Sequence, residues 1–295
     1  MVLVPNEVIQ KAHPPAGASN LIIKTKNCVP HEQIQEQVFR NVQKMQEYGC
    51  TFVEQCIPHG HLGVFASAGP SLKNQLDKLQ QTLYNNKYLV CVKHAHDFLI
   101  SEGIIPWAAM LLDPRDHVKD FIENPHPEVL YFVATMCHPT TLDRLLDAGA
   151  KVVGYNALVG ADEEKFLPPG HILLSGGSTS ATRGFSVLHC LGFRRFALFG
   201  YDSCYWEPQD ETVLTKTGAQ KYFRCSVSER EFWTDAELVA QCQDFEKLAK
   251  EAKDISFEIH GDGMIPHVWS CMNKENPPYF LEFLAKTRGT TPRAT

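Results

Sequence analysis

Leu62-Gly63-Val64-Phe65-Ala66-Ser67-Ala68-Gly69-Pro70-Ser71-Leu72 is the stretch whose reading decides the fold. Its first part, Val64 to Ala66, is an apolar run of the length expected for a buried strand. Ser67-Ala68-Gly69 then makes a turn of small residues, and Pro70, with its fixed φ, suits a first helical position with Ser71 beside it. From Leu72 the apolar positions Leu72, Leu76, Leu79 and Leu83 recur at helical spacings of three and four. Strand, tight turn and helix N-terminus in succession are a βα unit. Such a unit is also a natural anion site. Gly69 lets a ligand approach the backbone, while the free N–H groups of the first turn and the helix dipole favour a phosphate. An ordinary βα connection accounts for the same residues, so this stretch defines the fold unit and leaves the site open.

Working outward, the same rhythm continues downstream. Lys87 to Val92, Trp107 to Leu112, Val129 to Ala134, Lys151 to Gly154, His171 to Leu174 and Arg195 to Phe199 read as strands. Helical segments fall between them at 97–102, 140–148 and up to Leu191. Strands alternating with helices at this spacing imply an α/β chain with a mostly parallel, doubly wound sheet. Upstream, Ile34, Val38, Val42 and Met45 mark an amphipathic helix from His31 to Tyr48, stopped by Gly49. Residues 1–58 are expected as an N-terminal arm on the core, and residues 59–287 as the main domain. Within that domain, residues 203–233 break the rhythm. Their aromatic residues read as a lid over the ligand edge or as a subunit contact, with a homo-oligomer as the corresponding partner. Thr234 is expected to cap a helix reaching Lys253, followed by a strand from Ile255 to Ile259, and residues 288–295 to form a disordered tail. His59-Gly60-His61 reads either as a metal-binding pair or as loop histidines.

The totals narrow the function classes. The 295-residue chain is 44% hydrophobic with a net charge of −6, and has no basic block, which argues against a nucleic-acid polymer as partner. No apolar run has the length of a membrane span, and the N-terminus lacks a signal peptide's layout. Ten cysteines are scattered without a CxxC pair, which reads as buried thiols in a reducing, cytoplasmic setting. GxGxxG is absent at the first turn, as is the P-loop motif, so nicotinamide dehydrogenases and P-loop kinases are disfavoured.

In open parallel sheets, ligands bind beyond the carboxyl ends of the strands. The residues expected there are Ser67, Ala68, Gly69, Pro70 and Ser71; Asp113 and Asp116; Asn156; Gly177, Ser178 and Thr179; Tyr201 and Asp202; and Asp262. Two small-residue turns suit phosphates, and strand-end carboxylates suit Mg²⁺ shared with those phosphates. Together they favour a nucleotide or phosphosugar site. His260, before a glycine turn, is a candidate general base, with a histidine satisfied by a backbone carbonyl as the plainer reading. No nucleophile elbow is present around Ser178.

Ala68-Gly69-Pro70-Ser71-Leu72 after a strand resembles the Gly-Pro-Ser-Leu signature of the 6-hydroxymethylpterin diphosphokinase MptE-like proteins. That family is related to the motility accessory factor (Maf) glycosyltransferases and to bacterial sialyltransferases. Ile105-Pro106 before a strand ending at Asp113, Gly177-Ser178-Thr179-Ser180 before a helix, Leu191-Gly192-Phe193, Phe199-Gly200-Tyr201-Asp202, and Gly261-Asp262-Gly263 extend the likeness over roughly residues 60–265. Ser67 stands where many members carry glycine. The resemblance implies a Rossmann-like transferase domain using a nucleotide co-substrate. In one branch diphosphate passes from ATP to a hydroxymethylpterin-type acceptor with Mg²⁺; in the other the donor is a CMP-activated nonulosonic acid. A nucleotide- or sugar-binding protein without catalysis is the third reading. The resemblance places Gly69, Pro70 and Ser71 at the nucleotide, Ser178 and Thr179 at the second turn, and Asp113 and Asp202 near metal or substrate.

Overall fold

The structure, a computed structural model, describes residues 8–10, 21–23, 29–158, 167–215, 218–228 and 230–273. The expected tail 288–295, and the end of the main domain from 274, lie outside them. In chain order the elements are β1 (Val8–Gln10), β2 (Leu21–Ile23), α1 (His31–Glu47), β3 (Thr51–Phe52) and β4 (Leu62–Ala66). A 3₁₀ segment (Pro70–Gln75) leads into α2 (Leu76–Leu83), followed by β5 (Leu89–Val92), α3 (Ala95–Ser101) and β6 (Ala108–Leu111). A second 3₁₀ segment (Asp116–Phe121) precedes β7 (Leu130–Ala134), α4 (Pro139–Asp147), β8 (Lys151–Ala157) and β9 (Leu173–Leu174). The remainder is α5 (Ser180–Cys190), β10 (Arg195–Phe199), β11 (Tyr222–Val227), β12 (Arg230–Asp235), α6 (Ala236–Glu251), β13 (Ser256–Ile259) and α7 (Met264–Met272).

The central sheet runs β13-β10-β4-β5-β6-β7-β8-β3, with β9 beside β8, and its pairings are parallel. With helices flanking it, this is the doubly wound α/β architecture expected from the alternation, and it is Rossmann-like, as the resemblance implies. The strands read as unbroken apolar runs because helices bury both faces: every residue of β5 and β6 is buried. β4 sits centrally, with Val64 and Ala66 fully enclosed. Beneath it Phe65, Phe185, Phe196 and Phe257 pack with ring centroids 4.7–6.1 Å apart.

The chain crosses the sheet in one direction from β4 to β8, then returns to place β10 and β13 on β4's other side. The reversal between β4 and β10 is a topological switch point, where two outgoing loops diverge and leave a crevice.

Several local expectations are corrected. The first turn after Gly69 is 3₁₀ rather than α, closed by the Leu72 N–H on the Gly69 carbonyl at 3.1 Å. Thr234 is not the cap of the following helix. It lies in β12, fully buried, and Asp235 caps α6 by accepting the Leu238 N–H at 2.9 Å. The excursion after Asp202 contains a hairpin, β11 against β12, whose inner face buries Cys225, Val227 and Phe232. The segment after the Gly261–Gly263 turn is α7, an element with no counterpart in the sequence reading. Pro266 is tolerated in its first turn, where a missing N–H costs nothing. The arm also does more than pack: α1 buries Ile34, Val38, Val42 and Met45, and β3 joins the sheet beside β8. His59 and His61 lie at the amino end of β4, the His59 ring edge-on to Phe193 at 4.4 Å. Among the described residues no group of three or more metal-binding side chains occurs, and no helix is long and apolar enough to cross a membrane.

Candidate functional site

A cavity of about 540 Å³ opens at the carboxyl ends of the strands, at the switch point. That size is typical of small-molecule sites. Of the residues expected from sequence, Ser67, Ala68, Gly69, Pro70, Asp113, Gly177, Ser178, Thr179 and Asp202 line it. The others sit elsewhere. Ser71 is buried behind the wall, bound to Asp202. Asn156 is buried with its amide committed to Thr135, His171 and the Ile172 carbonyl. Tyr201 is enclosed in the core against Phe185 and Phe245. Asp262 pairs with Arg230 at 2.6 Å on the surface. His260 stacks on Phe199 and has its Nε2 2.9 Å from Glu258. Burial holds its imidazole below the usual histidine value, against the raising effect of Glu258. As a group His260 is therefore outside the cavity, and a role as base there has no geometric support. Asp116 bonds Lys119 and Thr140 on the outer surface.

The first turn differs in chemistry from the anion cradle read in the sequence. The Ser71 N–H donates to Asp202 Oδ2 at 2.7 Å, and the Ser71 hydroxyl to Oδ1 at 2.7 Å. The Gly69 N–H donates to the Gly200 carbonyl at 2.8 Å. A carboxylate of the protein itself thus occupies the position assigned to a phosphate. Gly69 has an ordinary extended backbone, φ −68 and ψ 157. It is glycine because a Cβ would strike the Gly200 carbonyl oxygen and come within 2.5 Å of Asp202 Oδ2. Burial pushes the Asp202 carboxyl above its usual value, although both Ser71 hydrogen bonds oppose that and Asp262 adds to it.

The second turn offers what the first does not. Thr179 caps α5 through a box with Thr182, and Ser178 is held by Asp244, which accepts from its N–H and hydroxyl at 2.7 and 2.6 Å. That capping supplies no acceptor for the N–H groups of Ser180 and Ala181, the first residues of α5. Arg183, one turn further and 2% exposed, donates to the carbonyls of Leu174, Leu158 and Gly177. No carboxylate of the described residues forms an ion pair with it, although the charge of Asp244, bound at the same turn, acts on it.

The cavity is polarised. Lys93 follows β5 and Arg115 follows β6. Arg115 forms a two-pronged pair with Asp113, and Lys93 Nζ lies 3.8 Å from the same carboxylate. Burial alone would raise the Asp113 carboxyl. The Arg115 hydrogen bonds and the charges of Lys93 and Arg115 outweigh it and hold the group below the usual carboxylate range. Two cations on one carboxylate, with Arg183, make this side positive. Asp235, the cap of α6, and Glu237 in its first turn also line the cavity, tied to the loop after β10 by the Tyr205 hydroxyl, which donates to Asp235 at 2.6 Å. Two of the described non-glycine residues with positive φ, Lys93 (47°) and Ser203 (54°), line this one cavity. Such strain clusters at functional sites. The sequence reading missed Lys93, Arg115 and Arg183. The first two were visible as basic residues just beyond strand ends; Arg183 had no distinguishing signal inside a helix.

The two carboxylates expected to hold a metal are already engaged. Asp113 is already met by two cations and Asp202 by Ser71, so neither offers a free carboxylate.

A parallel, doubly wound sheet with a polarised cavity at its switch point defines a Rossmann-like α/β protein. Within that class, the family model described as 6-hydroxymethylpterin diphosphokinase MptE-like matches residues 36–208, more than half of the chain, and the chain belongs to that family. Among solved structures, a MAf glycosyltransferase from Magnetospirillum magneticum AMB-1 is similar, with a TM-score of 0.61 and 17% identity. The likeness covers 80% of this chain and 37% of that one, so this chain spans little more than a third of its length. Comparison with curated proteins gave no match.

Proposed function

We propose that the chain is a nucleotide-dependent transferase whose nucleotide phosphates lie at the N–H groups of Ser180 and Ala181, between Arg183 and the Lys93–Arg115 pair. The observation that carries this reading is the charge division of the cavity. Unmet N–H groups at a helix N-terminus and a buried guanidinium without an ion pair suit phosphate oxygens. The carboxylates of Asp235 and Glu237 suit a hydroxyl-bearing acceptor. The family's description, a diphosphokinase, supports diphosphoryl transfer from ATP to a hydroxymethylpterin-type acceptor as the first reaction.

In this reading the residues act mainly by position. Lys93 and Arg115 neutralise charge on the transferring group, and the α5 N-terminus fixes the phosphates. The enclosed walls, Val92, Leu112 and Met136 among them, reduce the dielectric in which those charges act. Glycosyl transfer from a CMP-activated sugar is the second reading, supported by the fold shared with the Maf glycosyltransferase.

Thermal melts with ATP, AMP, CTP and CMP, each with and without Mg²⁺, test the reading. A ligand at a hundredfold excess over its Kd stabilises by about 2.7 kcal/mol. Adenine preference supports the diphosphokinase reaction and cytidine preference the glycosyl one, with products identified by mass spectrometry. A full nucleotide shift in an Arg183→Met variant that remains folded overturns the placement of the phosphates.

A further inference from the structure

Two side chains in the switch-point crevice are left unused by the phosphate contacts. Ser67 directly follows β4, and Ser203 lies four residues beyond β10; both line the cavity. They are 7% and 3% exposed, and among the described residues neither hydroxyl has a hydrogen-bond partner. A buried hydroxyl without a partner destabilises the free fold. Ser203 adds backbone strain, with φ 54°. Its neighbour Asp202 is anchored through its carbonyl, which accepts the N–H groups of Met264 and Ile265 at 2.7 and 3.2 Å. Its own carbonyl accepts from Thr234 Oγ1 at 3.3 Å.

We propose that Ser67 and Ser203 form a subsite for a pair of neighbouring hydroxyls, those of the sugar ring of the nucleotide; this rests on the nucleotide reading above. The chemistry selects the group. A serine hydroxyl both gives and takes a hydrogen bond, so its complement is a group that does the same. An anion is disfavoured beside Asp202, whose carboxylate lines the same crevice and already finds ionisation costly. A cation would find Asp202's oxygens occupied by Ser71. A neutral diol meets all of these conditions. Both serines lie on the cavity wall, and a ring bound there lies between the two outgoing loops, with its phosphates directed toward α5.

The test has two arms. In the free protein, Ser67→Ala removes an unmet hydroxyl and Ser203→Gly removes an unmet hydroxyl together with the strain. Each variant is expected to melt about 2 °C or more above wild type. In the second arm, calorimetry measures binding of ATP and CTP against their 2′,3′-dideoxy forms. Wild type is expected to prefer the ribonucleotide it binds about tenfold or more, and the Ser67→Ala/Ser203→Ala variant to lose that preference. Free variants that melt below wild type, equal binding of ribo and dideoxy forms, or a preference retained in the double variant would each overturn the subsite while leaving the nucleotide reading intact. Absence of binding by either triphosphate to wild type overturns the nucleotide reading, and the sugar assignment with it.

Discussion

Gly69→Ala is expected to unfold much of this protein's stability margin, for a reason unrelated to ligand. In sequence, Gly69 reads as a gap kept open for a phosphate, and a substitution there should spare the fold. The geometry reverses that. An added Cβ meets a backbone carbonyl at Gly200, which cannot swing away, and lies 2.5 Å from Asp202 Oδ2 and 3.0 Å from its Cγ. The clash with the carbonyl forces the two loops apart, and the clash with the carboxylate turns it away from Ser71. Overpacking of this kind costs about 1–3 kcal/mol. Losing hydrogen bonds to a buried carboxylate adds about 1.5–3 kcal/mol. The sum, about 2.5–6 kcal/mol, is a large part of an ordinary margin of roughly 5–15 kcal/mol. It corresponds to a melting temperature about 5–24 °C lower.

The assay is a calorimetric melt of wild type, Gly69→Ala and Gly60→Ala without ligand. Gly60 is the control because its added Cβ meets nothing within 4 Å, and its variant should melt close to wild type. Gly69→Ala combined with Asp202→Ala should cost less than the sum of the two, since part of the clash is removed with the carboxylate. A Gly69→Ala melt within a degree of wild type refutes the packing argument and returns the residue to the ligand.

Three further outcomes follow from the same contacts. The Asp113 carboxyl is held below its unfolded value of about 3.8, so its pairing stabilises the fold fully above that value and is lost as pH falls through the lower folded one. Asp113→Asn should therefore flatten the acid limb of a stability–pH curve, and an unchanged limb counts against the pairing. Lys93→Gly relieves a strain of about 1–2 kcal/mol and gives back about 0.5–1 kcal/mol in chain entropy. The free protein should melt no lower than wild type while triphosphate binding weakens, whereas a clear drop in melting temperature means that the φ at Lys93 is not strained. Asp235→Ala removes both the α6 cap and the Tyr205 partner, and should cost about 1–2 kcal/mol by denaturant unfolding, with Asp235→Asn costing less.

What was legible in the sequence was local. Strands buried on both faces write themselves as apolar runs, and Arg195–Phe199 has the bounds read for it. Thr179-Ser180 announces its helix because a cap acts over three residues. What was not legible was carried by contacts across the chain. The partner that decides Gly69 and Ser71 is Asp202, 131 residues beyond Ser71. Arg183 is an ordinary helical arginine until the carbonyls of Leu158 and Leu174 enclose it. The hairpin was hidden for another reason. Its outer face carries Arg224 over Trp233 at 4.8 Å and Tyr222 against Tyr205, and large residues on both faces blur the two-residue alternation of a strand.

The long-range contacts also explain how an uncomfortable site survives. Asp202 touches three loops at once. Its carboxylate takes Ser71 after β4, its own backbone leaves β10, and its carbonyl takes Met264 and Ile265 after β13. Gly261 and Gly263 lack side chains where a Cβ would strike Ser71 or Asp202. Strain at a residue persists only where its surroundings over-determine its position, and Ser203 follows directly on the most constrained residue of the crevice. The wall is therefore cross-linked by these hydrogen bonds before any ligand arrives. A ligand that meets the hydroxyls of Ser67 and Ser203 recovers hydrogen bonds the free protein lacks and orders little new chain, which is the condition under which few contacts give useful affinity.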